Sequence, residues 1–157
     1  MPPTKLPDLD RDTERRLAAG LFNEVWRLLD LPKRRPEQDD EMLHAAHASR
    51  YHWIRAGTRV NAARGEWQCS RVYAVLGRPE PALHHARRCL ELCESVVDDL
   101  DEFDLPFAYE ALARAYAVAG DEEQARHWIA RARAAGEAIS DEDDRVLLEA
   151  DLETIGT

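Results

Sequence analysis

Apolar side chains recur along this chain with helical spacing, and breaks rich in proline, glycine and aspartate divide the pattern into seven stretches. Within residues 10–31, Leu17, Leu21, Val25 and Leu28 fall on one stripe with Ala18, Phe22, Trp26 and Leu29 beside it, which predicts an amphipathic helix. Residues 32–36 interrupt it with two prolines around Lys33, Arg34 and Arg35, an exposed basic connector. A second helix is expected over 37–56, ended by Gly57, and Thr58 is placed to cap a third over 59–76. Gly77 then stands where a helix end needs a left-handed residue, and Pro79 opens a fourth helix reaching about Val97.

After an acidic link, Asp104 and Pro106 start a fifth helix that stops at Gly120, and Asp121 caps a sixth running to about Ala138. Ser140 with Asp143 resembles a capping box for a last helix, in which Val146, Leu147, Ala150 and Leu152 would face the rest. No stretch alternates as a strand does. Ala, Leu, Arg and Glu dominate while Thr, Ile and Phe are scarce, so propensity agrees with an all-α fold.

Two of these stretches repeat each other. RVYAVLGRPEPALHHARR from Arg71 and RAYAVAGDEEQARHWIAR from Arg114 share a tyrosine, a glycine, a glutamate, an alanine and a histidine at a period of 43 residues. Such a period predicts stacked helical hairpins, each covering its apolar face only with its neighbours. In the second copy Tyr109, Leu112 and Tyr116 share a helix face, Gly120 and Asp121 make the turn, and Ala125, Ile129 and Ala132 pack back, with small Ala113 and Ala125 allowing a close approach. The first copy keeps Tyr73, Gly77, Ala82 and Cys89 in the same places, with Ser70 at the small position.

This spacing resembles the tetratricopeptide repeat, and HAAHASRYHW followed by GEWQCSRVYAVLGR is similar to bacterial proteins of the same helical-repeat type. The resemblance implies a right-handed stack of hairpins acting as an interaction scaffold without catalysis or cofactor, the first helix of each pair lining a concave groove. It puts Arg71 and Arg114 at groove positions, with Arg64, Gln68 and Glu110 nearby. An arginine fork can hold a carboxylate by two parallel hydrogen bonds, so the expected partner is a protein or a short acidic peptide, or a second copy of the chain. The alternative is that these arginines solvate helix faces or pair with Glu66 and Glu110. His84 and His127 also recur, on second helices where half-buried packing is expected.

Candidate chemistry is concentrated in the second helix. Asp40, His44, His47 and Tyr51 share one face, opposite Met42, Ala46 and Trp53, and Glu41 with His44 forms a Glu-x-x-His fragment. Carboxylate and imidazole at this spacing can hold zinc or iron, which makes a small metal-binding protein or metal-dependent enzyme the rival reading. A second Glu-x-x-His, His-Glu-x-x-His, Cys-x-x-Cys and a phosphate-binding glycine loop are all absent from the sequence.

Length and charge narrow the rest. The 157 residues fit a short arm at 1–9 and one domain at 10–157, large enough for its own core. A net charge of −10 repels a phosphate backbone, so nucleic acid is not an expected partner. No apolar run approaches the roughly 18 residues of a membrane span or a signal-peptide core, and three cysteines inside helical patterns read as buried reduced thiols, so a cytoplasmic protein is expected.

Overall fold

The computed structural model describes residues 1–156. Among these are seven helices and no strand: α1 (Arg11–Leu29), α2 (Pro36–Ala56), α3 (Arg59–Val75), α4 (Pro79–Glu94), α5 (Asp104–Val118), α6 (Glu122–Gly136) and α7 (Glu142–Glu153), with a 3₁₀ turn at Val97–Asp99 between α4 and α5. Helices pack chiefly as consecutive pairs, α1 on α2, α3 on α4 and α5 on α6, and each pair rests on the next through α2–α3 and α4–α5. The third helix also touches α1 and α5, and α7 closes the array against α5 and α6.

Local chemistry fixes each boundary. The side chains of Asp10, Thr58, Asp121 and Asp141 each accept a hydrogen bond from the third residue beyond, satisfying an N-terminal amide that the helix itself leaves open. Gly77 and Gly120 are the two left-handed residues, at φ 70° and 78°, and their turns are bonded alike. Arg78 N–H donates to the Tyr73 carbonyl at 2.9 Å, and Asp121 N–H donates to the Tyr116 carbonyl at 3.0 Å. The sequence repeat is therefore also a repeat of backbone geometry.

The core is a series of seams. Val25, Leu28, Met42, Ala46, Cys69 and Val72 fill the first; Ala82, Ala86, Ala111, Leu112 and Ala115 the middle; Ala113, Ala132, Ile139, Leu148, Leu152 and Ile155 the last. Alanines dominate the middle because helix axes crossing closely leave room for little more than a methyl group. Ser70 Oγ reaches the Ala82 carbonyl at 2.8 Å, and Ser49 Oγ reaches the Ala18 carbonyl at 2.8 Å, so two further small positions are polar but satisfied.

Three expectations need correction. The last helix buries Leu148 and Leu152, with Ile155 buried just beyond it, whereas Val146, Leu147 and Ala150 are exposed. Its cap is Asp141; Ser140 instead donates to Glu102 from its amide at 2.7 Å and its hydroxyl at 2.6 Å. The fourth helix stops at Glu94, where Ser95 caps the last carbonyls, rather than at Val97.

Candidate functional site: an aromatic groove

The odd-numbered helices present a common face, and between them lies a groove of about 540 Å³. From α1 come Phe22, Trp26 and Leu29; from α3 Arg64, Trp67, Arg71 and Val75; from the start of α5 Phe103 and Phe107; and from α7 Asp144, Leu147 and Asp151. Each set repeats at three or four residues, so a single stripe of each helix builds the wall. Cys89 and Cys93 of α4 form part of the floor, and Asp30 stands at the end of α1. The rings interlock: Trp26 and Trp67 lie 5.5 Å apart between centroids, and Phe107 meets Trp67 edge-on at 6.0 Å.

A buried ion network holds the far wall. Arg71 Nη2 donates to Glu110 Oε1 at 3.2 Å and to Asp151 Oδ2 at 2.7 Å, while Arg114 Nε donates to the same Glu110 oxygen at 2.7 Å. Arg114 Nη2 also reaches the Asp151 carbonyl at 2.8 Å and Thr154 Oγ1 at 2.9 Å, so the two arginines around Glu110 tie α3 and α5 to α7. Glu110 is fully buried, and the Arg71 side chain keeps 12% of its exposure. Burial works to lower the Arg71 pKa, but Glu110 and Asp151 outweigh it and hold the guanidinium above its ordinary value.

Arg64 forms a second clamp at the groove's edge. It donates to Asp104 at 2.8 and 2.9 Å and to Asp101 at 2.6 Å, with Phe103 beneath its guanidinium at 4.9 Å. The hydrogen bonds to Asp104 raise its pKa above the usual arginine value. Gln68 is fully buried and spends its amide N–H on the Phe22 carbonyl at 3.0 Å, which anchors α3 to α1.

Of the groove residues read from sequence, Arg64 and Arg71 therefore line the groove, Gln68 and Glu110 lie beneath its surface, and Arg114 is held between α5 and α7. Both repeated arginines meet Glu110, as the pairing alternative describes, whereas Glu66 is engaged by Arg50 and His85. The aromatic stripe is what sequence reasoning missed. Its signal was present in the spacing of Phe22 with Trp26 and of Phe103 with Phe107, but these rings read equally well as hairpin core.

Polar atoms without partners collect around this wall. Trp67 Nε1, Gln68 Oε1, Arg71 Nε and Glu110 Oε2 are all buried with no hydrogen bond among the described residues. Buried groups of this kind are uncommon and costly, and four of the six found among the described residues belong to this wall.

The histidine helix behaves differently. Asp40, Glu41 and His44 are exposed, whereas His47 turns inward, with Nε2 2.9 Å from Tyr73 Oη and its ring 5.3 Å from that of His85. Burial, and then the charge of His85, lower the His47 pKa. His85 Nδ1 lies 2.5 Å from Glu66 Oε2, and Arg50 Nε donates to the other oxygen at 3.0 Å. Burial alone would raise the Glu66 pKa, but these two partners bring it below the ordinary value. Among the described residues no three His, Cys, Asp or Glu side chains converge as a metal site, so Asp40, Glu41, His44 and His47 lack the common centre that the metal reading requires.

His84 and His127 are exposed rather than half-buried; the neighbouring positions, His85 and Trp128, take the packing role. All three cysteines are free and buried, and burial pushes the Cys69 thiol up to about 12, far from a reactive thiolate. No helix of the described residues is long and apolar enough to cross a membrane. Compared with known proteins, the chain matches no family model, and no curated protein matches it.

Proposed function

We propose that this protein is a helical-repeat scaffold that binds a segment of another protein in the groove between α1, α3, α5 and α7. One observation carries the reading: the rings of Phe22, Trp26, Trp67, Phe103 and Phe107 line an open groove, beside Val75 and Leu147, which are 43% and 54% exposed. These half-buried rings stand together on one concave surface, where an incoming apolar side chain gains about 1.5–3 kcal/mol by burial. The resemblance of residues 107–138 to a tetratricopeptide repeat supports the same use of the same face. The reading assigns no catalysis to this face, where Arg64, Arg71 and Arg114 are each engaged by carboxylates. A cytoplasmic setting suits three free, buried thiols.

Leu147→Arg tests it. The substitution puts a long cation into the groove from an exposed position, while His127→Glu on α6 serves as a control outside the lining. With helical content and melting temperature unchanged in both, proteins captured from an extract of the native host should be retained by wild type and His127→Glu and lost by Leu147→Arg. Identical capture by all three would remove the groove from consideration.

A further inference from the structure

We infer that the segment taken up by this groove is cationic, pairing an aromatic or aliphatic side chain with lysine or arginine; the inference rests on the groove being the docking site. Four aspartates line it, Asp30, Asp104, Asp144 and Asp151, against two arginines, Arg64 and Arg71. Asp104 and Asp151 are spent on those arginines at 2.8 and 2.7 Å. Asp30 and Asp144 form no ion pair among the described residues. They stand on opposite walls, one at the end of α1 and one in the first turn of α7, where Glu142 and Asp143 add to the negative potential. The basic connector does not offset this inside the groove: none of Lys33, Arg34 and Arg35 lines it, and Arg34 is committed to Asp39 and to the last carbonyls of α1.

An acidic peptide would meet unpaired carboxylates at the rim and, inside, guanidiniums already neutralised by Glu110, Asp151 and Asp104. Its charge would lose water and find no free counter-charge. A lysine or arginine finds the reverse, while the adjoining side chain rests on Trp26 and Trp67. The same wall holds two donors, Trp67 Nε1 and Arg71 Nε, that reach no acceptor. With Arg71 held by Glu110 and Asp151, a small rotation of Trp67 toward the occupant would let its Nε1–H donate to a backbone carbonyl, which a peptide carries at every residue.

Selection from a displayed library of random peptides against the intact protein is the test. Enriched peptides should carry net positive charge beside Trp, Phe or Leu, should bind less tightly as salt is raised, and should lose about fivefold in affinity to a protein carrying Asp30→Asn and Asp144→Asn together. Those two sites are exposed or half-exposed and outside every ion pair, so the variant keeps its fold. Enrichment of acidic peptides that Leu147→Arg abolishes would overturn the charge inference and leave the groove reading standing. Binders indifferent to Leu147→Arg, or no enrichment at all, would overturn the groove reading itself. Sedimentation is run alongside: a dimer that Leu147→Arg dissociates would make a second copy the occupant and would also overturn the inference.

Discussion

Hairpin α3–α4 and hairpin α5–α6 share one backbone plan and fill it with different chemistry. At the facing positions 66 and 85 the first holds a carboxylate against an imidazole, Glu66 Oε2 and His85 Nδ1 at 2.5 Å. At the equivalent positions 109 and 128 the second holds a phenol against an indole, with ring centroids 5.6 Å apart and Arg131 over both rings at 4.8 and 5.1 Å. The next position along repeats the contrast, Trp67 in one and buried Glu110 in the other. What stays constant is the turn and its tyrosine, each reaching the second helix of the preceding hairpin: Tyr73 meets His47, and Tyr116 accepts from Arg87 at 3.2 Å. The hairpin's shape thus depends on the turn glycine and the small interhelical residues, while the facing pair is free to vary with what lies above it.

The largest expected effect separates positions 67 and 110. Glu110→Ala leaves Arg71 and Arg114 buried without their shared carboxylate, and should cost about 3–5 kcal/mol in urea unfolding. A loss below about 1 kcal/mol would mean that Asp151 alone can hold α3 and α5 against α7, and the contrast with Trp67 would be one of space only.

Next come the positions where the hairpins should behave alike. Ala82 and Ala125 are both fully buried, so leucine at either should cost about 1–3 kcal/mol by overpacking. If one tolerates leucine and the other does not, the close approach of the helices is not common to both. Alanine at Gly77 and at Gly120 is a cleaner comparison, because nothing lies within 4 Å of the added methyl group and only the positive φ opposes it. Matched losses of about 1–2 kcal/mol are expected from thermal melts. Unequal values would break the equivalence of the two turns.

The smallest effect belongs to the polar hairpin alone. Burial and His85 depress the His47 pKa in the folded protein below its unfolded value of about 6.5. Its neutral form is therefore favoured by folding: the contribution is present above that unfolded value and is lost as pH falls through the depressed folded one. Proton NMR should find His47 titrating below the unfolded value of about 6.5, and His85→Gln should move it upward. A His47 that titrates at the unfolded value would show that the cluster is open to water.

Much of the fold was legible in the sequence. The seven helices, the Thr58 and Asp121 caps and the paired turns follow from side chains acting on the backbone within a few residues, and such local effects are written directly in the sequence. Errors arose where two local signals competed. Ser140 and Asp141 are both good caps, and the choice fell to Asp141 because Glu102, far off in the chain, claims both the amide and the hydroxyl of Ser140. In α7, packing against Ala113 and Ala132 brings Leu148 rather than Leu147 into the core.

The site was less legible, since a ring on an amphipathic stripe carries no mark of whether it faces a neighbour or a groove. Phe22, Trp26 and Phe107 satisfy either role. The arginines were visible as a repeat, but their partners were not: Arg71 meets Asp151 across 80 residues.

The sequence by itself determined an all-helical chain, its turns, its 43-residue internal period and its acidic balance, because helix propensity, capping and charge are properties of neighbouring residues. Only the tertiary structure decided that four odd helices share one concave face, that Arg71 and Arg114 spend their charge on Glu110, and that Asp30 and Asp144 line the groove without an ion-pair partner among the described residues. Those outcomes depend on how helices stack, and stacking sets the distances between charges that lie far apart along the chain.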